Sequence, residues 1–467
     1  MSAFLELLPG LRLEPLPARL PRPDRPMDPA DEAATRFGGI AATAVHPFEV
    51  AAAIEAEGVT DRQVQRHYGR QDAFELAEDL YADTPRHYPE PEPVPSPWTA
   101  PLSASLLRGV LYALPGLAFP LGAPLFAGPA DTGRLPHGTF ALALSVLLTW
   151  AWNQALAHRA HSWLGRGQRR SAGRCLARGA AVGSGLGAGG ALLAALLAER
   201  ASGGVLVFCL GQALYLGASC VLLVLGGEAA LLRALSPAAL GGAAVLAGLL
   251  RPSPVTALLL VCTLGLTALQ AWRLLRACRD DGDRGSAGDP KPPLRSSLPH
   301  GFFGMAMSLL TLGAALRGGH IEVAPTVALT VSMGPAEWLL YGYRSRIHAA
   351  LRAAQSARGF ALLSARSLAL GLGSYLGALA ALGGVVGVAL TGGPSGQQLP
   401  GLLALGATIW TALLLQATGS AWTAAGVCIP AAAATVAGAT ESLVGGVAAA
   451  TLLLIACRTL GRVTVHR

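Results

Sequence analysis

The feature that most constrains this chain is a recurrence. From Leu106 onward, apolar runs of about the length that crosses a hydrocarbon layer follow one another with short breaks. They fall near residues 106–127, 138–157, 178–198, 204–226, 236–250, 254–273, 299–317, 323–343, 367–391, 400–419, 422–439 and 442–458. The fifth is the shortest and is led by Pro237; were it re-entrant, every later loop would change sides. Composition points the same way. Of 467 residues 52% are hydrophobic and only 13% charged, against roughly 25% charged in a water-soluble domain. The expected fold class is therefore all-α: a polytopic membrane protein of about twelve transmembrane helices in two six-helix bundles, with a small helical N-terminal cytoplasmic extension.

Charge placement supports the count. Loops assigned to the cytoplasm carry Arg159 to Arg178, Arg233, Arg273 to Arg295, Arg344 to Arg366 and a tail with Arg458, Arg462 and Arg467; the opposite loops hold Arg134, Arg200, Arg251 and Arg317. That roughly fivefold asymmetry is the positive-inside pattern, with both termini in the cytoplasm. Lys291 is the single lysine, which reads as the codon bias of a GC-rich bacterial genome and places the chain in a bacterial inner membrane. The seven cysteines lie in or beside apolar runs without metal-site or disulfide spacing, and read as small hydrophobes. The first thirty residues interrupt their leucines with Glu6, Pro9, Arg12, Glu14 and Pro15, so no signal-peptide core is expected.

Residues 1–83 differ in kind, holding most of the acidic groups and no span-length run. Two amphipathic helices are expected there, over 47–57 and 60–81, separated at Gly58 and with a capping box at Thr60 and Gln63. Residues 84–101 (TPRHYPEPEPVPSPWTAP) read as a stiff proline-rich spacer. The first bundle then covers 102–276, a cytoplasmic linker 277–298, and the second bundle with its tail 299–467. Span two, its arginine loop and span three correspond in position to span eight, its loop and span nine. This suggests a duplication with both halves in the same orientation and a substrate site between them.

Few ionisable groups fall inside the spans, and no clustered His, Cys, Asp or Glu suggests a metal, a cofactor or hydrolytic chemistry, so the expectation is a non-enzyme. Glu337, after Gly334 and Pro335, is the main intramembrane acid. It reads either as a proton-linked or substrate-contacting carboxylate or as an interfacial acid paired with Arg344 or another cytoplasmic arginine. Asn153, Gln154, Gln212 and Gln416 could line a polar cavity, or simply bond between helices. Arg166, Arg169, Arg170 and Arg174 could hold anionic headgroups, although topology alone would also place arginines there. Pro115, Pro120 and Pro124 would bend span one, and Pro430 span eleven. The glycines of 183–190 read as a helix-packing face. The acidic extension argues against nucleic acid as a partner and for protein docking, a cytoplasmic glycosyltransferase being one candidate.

Two segments carry a family resemblance. LGRGQRRSAGRCLARGA (164–180), following a polar-ended second span and preceding a Gly/Ala-rich third, resembles the MOP superfamily of flippases and MATE-type exporters. VALTVSMGPAEWLLYGYRSR (327–346) resembles the start of the equivalent second bundle in PelG-like polysaccharide exporters. The resemblance spans roughly 104–460 and implies two six-helix bundles around a central cavity, alternating access, and export of a polysaccharide or lipid-linked oligosaccharide. The sparse intramembrane charge departs from flippases with strongly cationic cavities. Two alternatives stand beside it: a proton- or sodium-coupled small-molecule antiporter, and a non-transporting membrane scaffold with a partner-docking N-terminal module.

Overall fold

The computed structural model describes residues 28–88, 101–126, 138–198, 202–281, 291–315, 323–391 and 399–466. The chain divides into two compact units, Met1–Pro95 and Ser96–Arg467. Among the described residues the regular elements are all helical.

The first unit contains α1 (Pro29–Thr43), α2 (Pro47–Ala56), α3 (Asp61–Gln63) running into a wider turn at Val64–Tyr68, and α4 (Ala73–Asp83). Phe37, Val50, Ile54, Val64 and Ala77 are fully buried and, with Leu76 and Leu80, form its core. This corrects the two-helix expectation. The apolar face of α1 repeats Ala33, Phe37 and Ala41, with one large side chain in three turns, too faint a stripe to read from sequence. The expected 60–81 helix is broken: Gly69 takes a φ of 66°, and Asp72 starts α4 by accepting from the amides of Phe74 and Glu75, both at 2.9 Å. The Thr60–Gln63 capping box and the left-handed Gly58 (φ 80°) are present. The start of the expected spacer belongs to the unit as well. His87 N–H donates to the Ala42 carbonyl at 2.9 Å, and the Tyr88 hydroxyl donates to the Ala44 carbonyl at 3.3 Å. Residues 89–100 of that spacer lie outside the described residues.

The second unit is the membrane domain. Its helices are α5 (Leu102–Ala113), α6 (Ala118–Gly122), α7 (Thr139–Leu164), α8 (Arg169–Ala198), α9 (Gly203–Val224), α10 (Glu228–Leu246), α11 (Pro254–Asp280), α12 (Leu298–Ala315), α13 (Val323–Val331), α14 (Met333–Ala353), α15 (Ala357–Thr391), α16 (Leu399–Ala417), α17 (Ala421–Val436) and α18 (Glu441–Leu460). The α5–α6 segment, Leu102–Phe126, forms one span interrupted by 3₁₀ turns. Pro115 and Pro124 lie in those turns and Pro120 in α6 between them. Among the described residues nine helices are long and apolar enough to cross a membrane, and they leave large apolar side chains such as Leu258, Val261, Val385 and Leu454 on the outside. In water that surface would be untenable; in lipid it is the expected exterior. The chain is an all-α multi-pass membrane protein.

Small residues bring these helices together, as they must where lipid supplies no hydrophobic drive between them. Gly179, Gly183, Gly187 and Gly190 form a stripe along α8, and a Cβ on any of them would run into Leu156, Trp152, Thr149 or Leu148 of α7. The Trp152 indole N–H donates to the Gly179 carbonyl at 2.7 Å.

One expected boundary moves. The fifth run forms α10 over Glu228–Leu246, with Pro237 inside the helix instead of at its start. Proline removes the amide that would reach the Arg233 carbonyl, and the Ser236 hydroxyl donates there instead at 2.8 Å. The adjacent Ala238 amide donates to Thr263 Oγ1 of α11 at 3.0 Å. Two hydroxyls thus let an interior proline sit in a helix that periodicity would start eight residues later.

Helix contacts repeat across the domain. In the first set, α7 packs on α8, α8 on α9, α9 on α11, α10 on α11 and α6 on α10. In the second set, α14 packs on α15, α15 on α16, α16 on α18, α17 on α18 and α12 on α17. The two sets meet through α5 against α13 and α14, and α7 against α12.

Candidate functional site

The candidate site is the pair of seams where the two helix sets touch. In the first seam, α5 crosses the junction of α13 and α14 at a glycine on each side. A Cβ on Gly109 would sit 2.7 Å from the Val331 carbonyl oxygen and 2.9 Å from Gly334 N; one on Gly334 would sit 2.6 Å from the Ser105 carbonyl oxygen. Pro335 explains the geometry. It offers no amide to Val331 four residues earlier, so that carbonyl turns outward and α5 closes over it with a residue that has no side chain. The junction is held from behind, where buried Ser332 donates to the Leu329 carbonyl at 2.7 Å and shares a hydrogen bond with the Tyr375 hydroxyl at 3.1 Å.

Next to this crossing lies a three-residue ion cluster. The Arg108 guanidinium bonds Glu337 of α14 through Nη1 and Glu228 of α10 through Nε, the latter at 3.2 Å. All three side chains are largely enclosed, at 32%, 24% and 23% exposure for Arg108, Glu337 and Glu228. One cation serving two carboxylates leaves the ionised cluster with a net negative charge, a condition a partly dehydrated site supports only if every oxygen is well solvated by donors.

The second seam joins α7 to α12. Cβ atoms on Gly301 and Gly304 would lie 3.3 Å from the Ala155 Cβ and 2.7 Å from the Gln154 Cγ. At its end the His158 and His300 rings stack with centroids 3.8 Å apart. His158 Nδ1 lies 3.1 Å from Ser297 Oγ, and Arg159 Nη1 donates to the Pro292 carbonyl at 3.1 Å. Both seams lie toward the arginine-rich helix ends.

The residues singled out from sequence do not converge on one point. Glu337 is in the first seam, but its partner is Arg108; Arg344, the partner considered earlier, donates to the Ala417 carbonyl. Gln154 lies in the second seam. Its neighbour Asn153 faces the other way, into the first helix set, donating to the Leu216 carbonyl at 3.0 Å. Gln212 lies partly exposed on α9, and Gln416 closes the end of α16 with its Nε2 buried. Of the headgroup candidates, Arg166 lies in the turn between α7 and α8, Arg169 bonds Asp281 across to the end of α11 at 3.2 Å, and Arg170 and Arg174 line a groove between α8 and α11.

Four residues at these seams escaped the sequence reading: Arg108, Glu228, His158 and His300. Arg108 had a legible signal, a charge just inside the start of an apolar run, whereas Glu228 stands between two runs. The histidines had none, since their relation is one of space between residues 142 positions apart in the chain. No family model matches this chain, and no curated protein matches it in sequence.

Proposed function

We propose that this protein is a MOP-like flippase or exporter that moves a polysaccharide or lipid-linked oligosaccharide by alternating access. In this reading twelve passes form two six-helix bundles, α5–α11 and α12–α18, in a bacterial cytoplasmic membrane with both termini in the cytoplasm. The observation that carries it is the pair of seams. Each bundle repeats the other's packing, and they meet through two equivalent contacts, span one on span eight and span two on span seven. Both contacts rest on glycines where an added Cβ would crowd the opposite helix. Such contacts part as rigid bodies without repacking either core. With the arginine-rich ends in the cytoplasm, both seams are closed on the inside, and the Arg108–Glu337–Glu228 cluster is the inner latch.

The test is reconstitution. Purified protein in liposomes should move a fluorescent polyprenyl-diphosphate oligosaccharide between leaflets at a rate that depends on Gly109 and Arg108. A rate no greater than that of protein-free liposomes, with several glycan chains tried, would remove the reading.

One observation favours a second reading, a proton- or sodium-coupled small-molecule antiporter. Two carboxylates share the Arg108 guanidinium, so a proton or sodium ion arriving at Glu337 would compete with the arginine and loosen the latch. In that case Glu337→Gln should abolish ion dependence; transport that keeps its full rate and its ion dependence in Glu337→Gln would exclude it.

A further inference from the structure

The arginine groove between α8 and α11 is separate from both seams. Arg170, Arg174 and Arg178 follow one another at four-residue intervals on α8, so they form a single stripe, and Arg279 faces them from α11. Between the helices the floor is made by Gly173 and Ala177, and Leu275 forms one wall. Gly173 makes the groove possible: a Cβ there would lie 2.8 Å from the Cys278 Cβ, so the helices approach closely at the base and splay above it. The groove is open on one side and offers about 320 Å³, far more than one water needs. Among the described residues none of the groove-lining side chains is acidic. The nearby carboxylate of Asp281 is engaged by Arg169.

The groove also has a definite depth. Below it the outer faces of α8 and α11 expose Val182, Leu186, Leu266 and Leu269, which belong in acyl chains. At its level Trp272 is 52% exposed and carries the Arg276 guanidinium 5.3 Å above its ring, the arrangement of an interfacial aromatic anchor. Arginines of both helices thus line one open groove at headgroup height, where topology alone requires only that arginines lie on that side.

We propose that this groove binds the headgroup of a dianionic phospholipid, its two phosphodiesters held by Arg174, Arg178 and Arg279 and its acyl chains lying along the exposed leucines of α11. The occupant is a membrane lipid and not a soluble diphosphate, because the groove continues into the apolar faces instead of closing over its ligand. Three cations from two helices also favour the two phosphates of cardiolipin over a singly charged headgroup.

The experiment uses the full chain in nanodiscs of neutral phosphatidylcholine doped with either cardiolipin or phosphatidylglycerol at matched total charge, and reads retained lipid by native mass spectrometry. Cardiolipin should be retained preferentially. Arg174→Gln/Arg178→Gln/Arg279→Gln should reduce its affinity about a hundredfold. The equal charge change Arg352→Gln/Arg358→Gln/Arg366→Gln should leave it within about threefold. Ala177→Trp, which fills the groove and keeps every arginine, should also release the lipid and covers the case in which the triple variant fails to fold. Equal losses in the two triple variants would mean diffuse surface charge and overturn the proposal. Displacement of cardiolipin by inorganic pyrophosphate at similar concentration would identify a soluble diphosphate site and overturn it as well.

Discussion

Replacing Gly109 by alanine adds one methyl group at the tightest point between the two helix sets. Its Cβ would stand 2.7 Å from the Val331 oxygen, 2.9 Å from Gly334 N and 3.0 Å from Gly334 Cα, all backbone atoms that cannot rotate away. Ordinary contact begins near 3.4 Å, so α5 and the α13–α14 junction must separate by about 0.7 Å. Overpacking of this kind costs about 1–3 kcal/mol. Since the clash exists only while the seam is closed, the cost falls on the closed form alone and raises the open fraction about 5–150-fold. The assay is maleimide labelling from the arginine-rich side. A cysteine at Ala155, in the second seam, is introduced into a protein whose exposed Cys262 and Cys457 are replaced by serine; buried Cys209 and Cys428 report general unfolding. Gly109→Ala should accelerate labelling at position 155 by that factor and leave Cys209 and Cys428 unreactive. Unchanged labelling at 155 would show that the two seams do not open together; equal acceleration at all three positions would show mere destabilisation.

Other substitutions separate the parts of the account. Arg108→Gln strands two carboxylates and should lower stability by about 1–3 kcal/mol, discounted from a fully buried pair because the cluster is partly open. Glu337→Gln leaves Arg108 with Glu228 and should cost less, and thermal unfolding in detergent gives the order. Thr263→Val removes the acceptor of the Ala238 amide at the Pro237 bend and should cost about 0.6 kcal/mol, the average for an interhelical hydrogen bond in membranes, by the same measurement. Asp72→Ala removes the cap that starts α4 and should cost about 1 kcal/mol, seen as faster amide exchange at Phe74 and Glu75 in the full chain.

What the sequence made legible follows from range. Long apolar runs are local, and most of the helices the structure holds lie where those runs fall. Part of the glycine face of α8 was legible for the same reason, the Gly-rich stretch 183–190 being enough to predict close packing, with Gly183, Gly187 and Gly190 making the contact. Pro237 misled because a proline's usual place at the first turn of a helix outweighs, locally, two hydroxyls, one of them supplied by another helix. The 60–81 run was read through its break because apolar residues stand on both sides of Gly69 and Asp72, although at about 100° per residue Leu76, Ala77 and Leu80 fall roughly half a turn out of phase with Val64. Asn153 and Gln154 show a sharper limit. They are adjacent, and a helix turns about 100° per residue, so one enters its own bundle and the other reaches the seam. Sequence named both without telling them apart. Glu337 was recognised as unusual, but its partner lies 229 residues away, beyond any local pattern.

The central claim is that the two helix sets part and rejoin at these seams, and a reversible cross-link tests it most directly. Ala155 Cβ and a Cβ at Gly301 would lie 3.3 Å apart, close to disulfide range. Ala155→Cys/Gly301→Cys should therefore oxidise readily in liposomes, arrest movement of the labelled oligosaccharide, and recover on reduction. Undiminished movement in fully cross-linked protein would contradict the account.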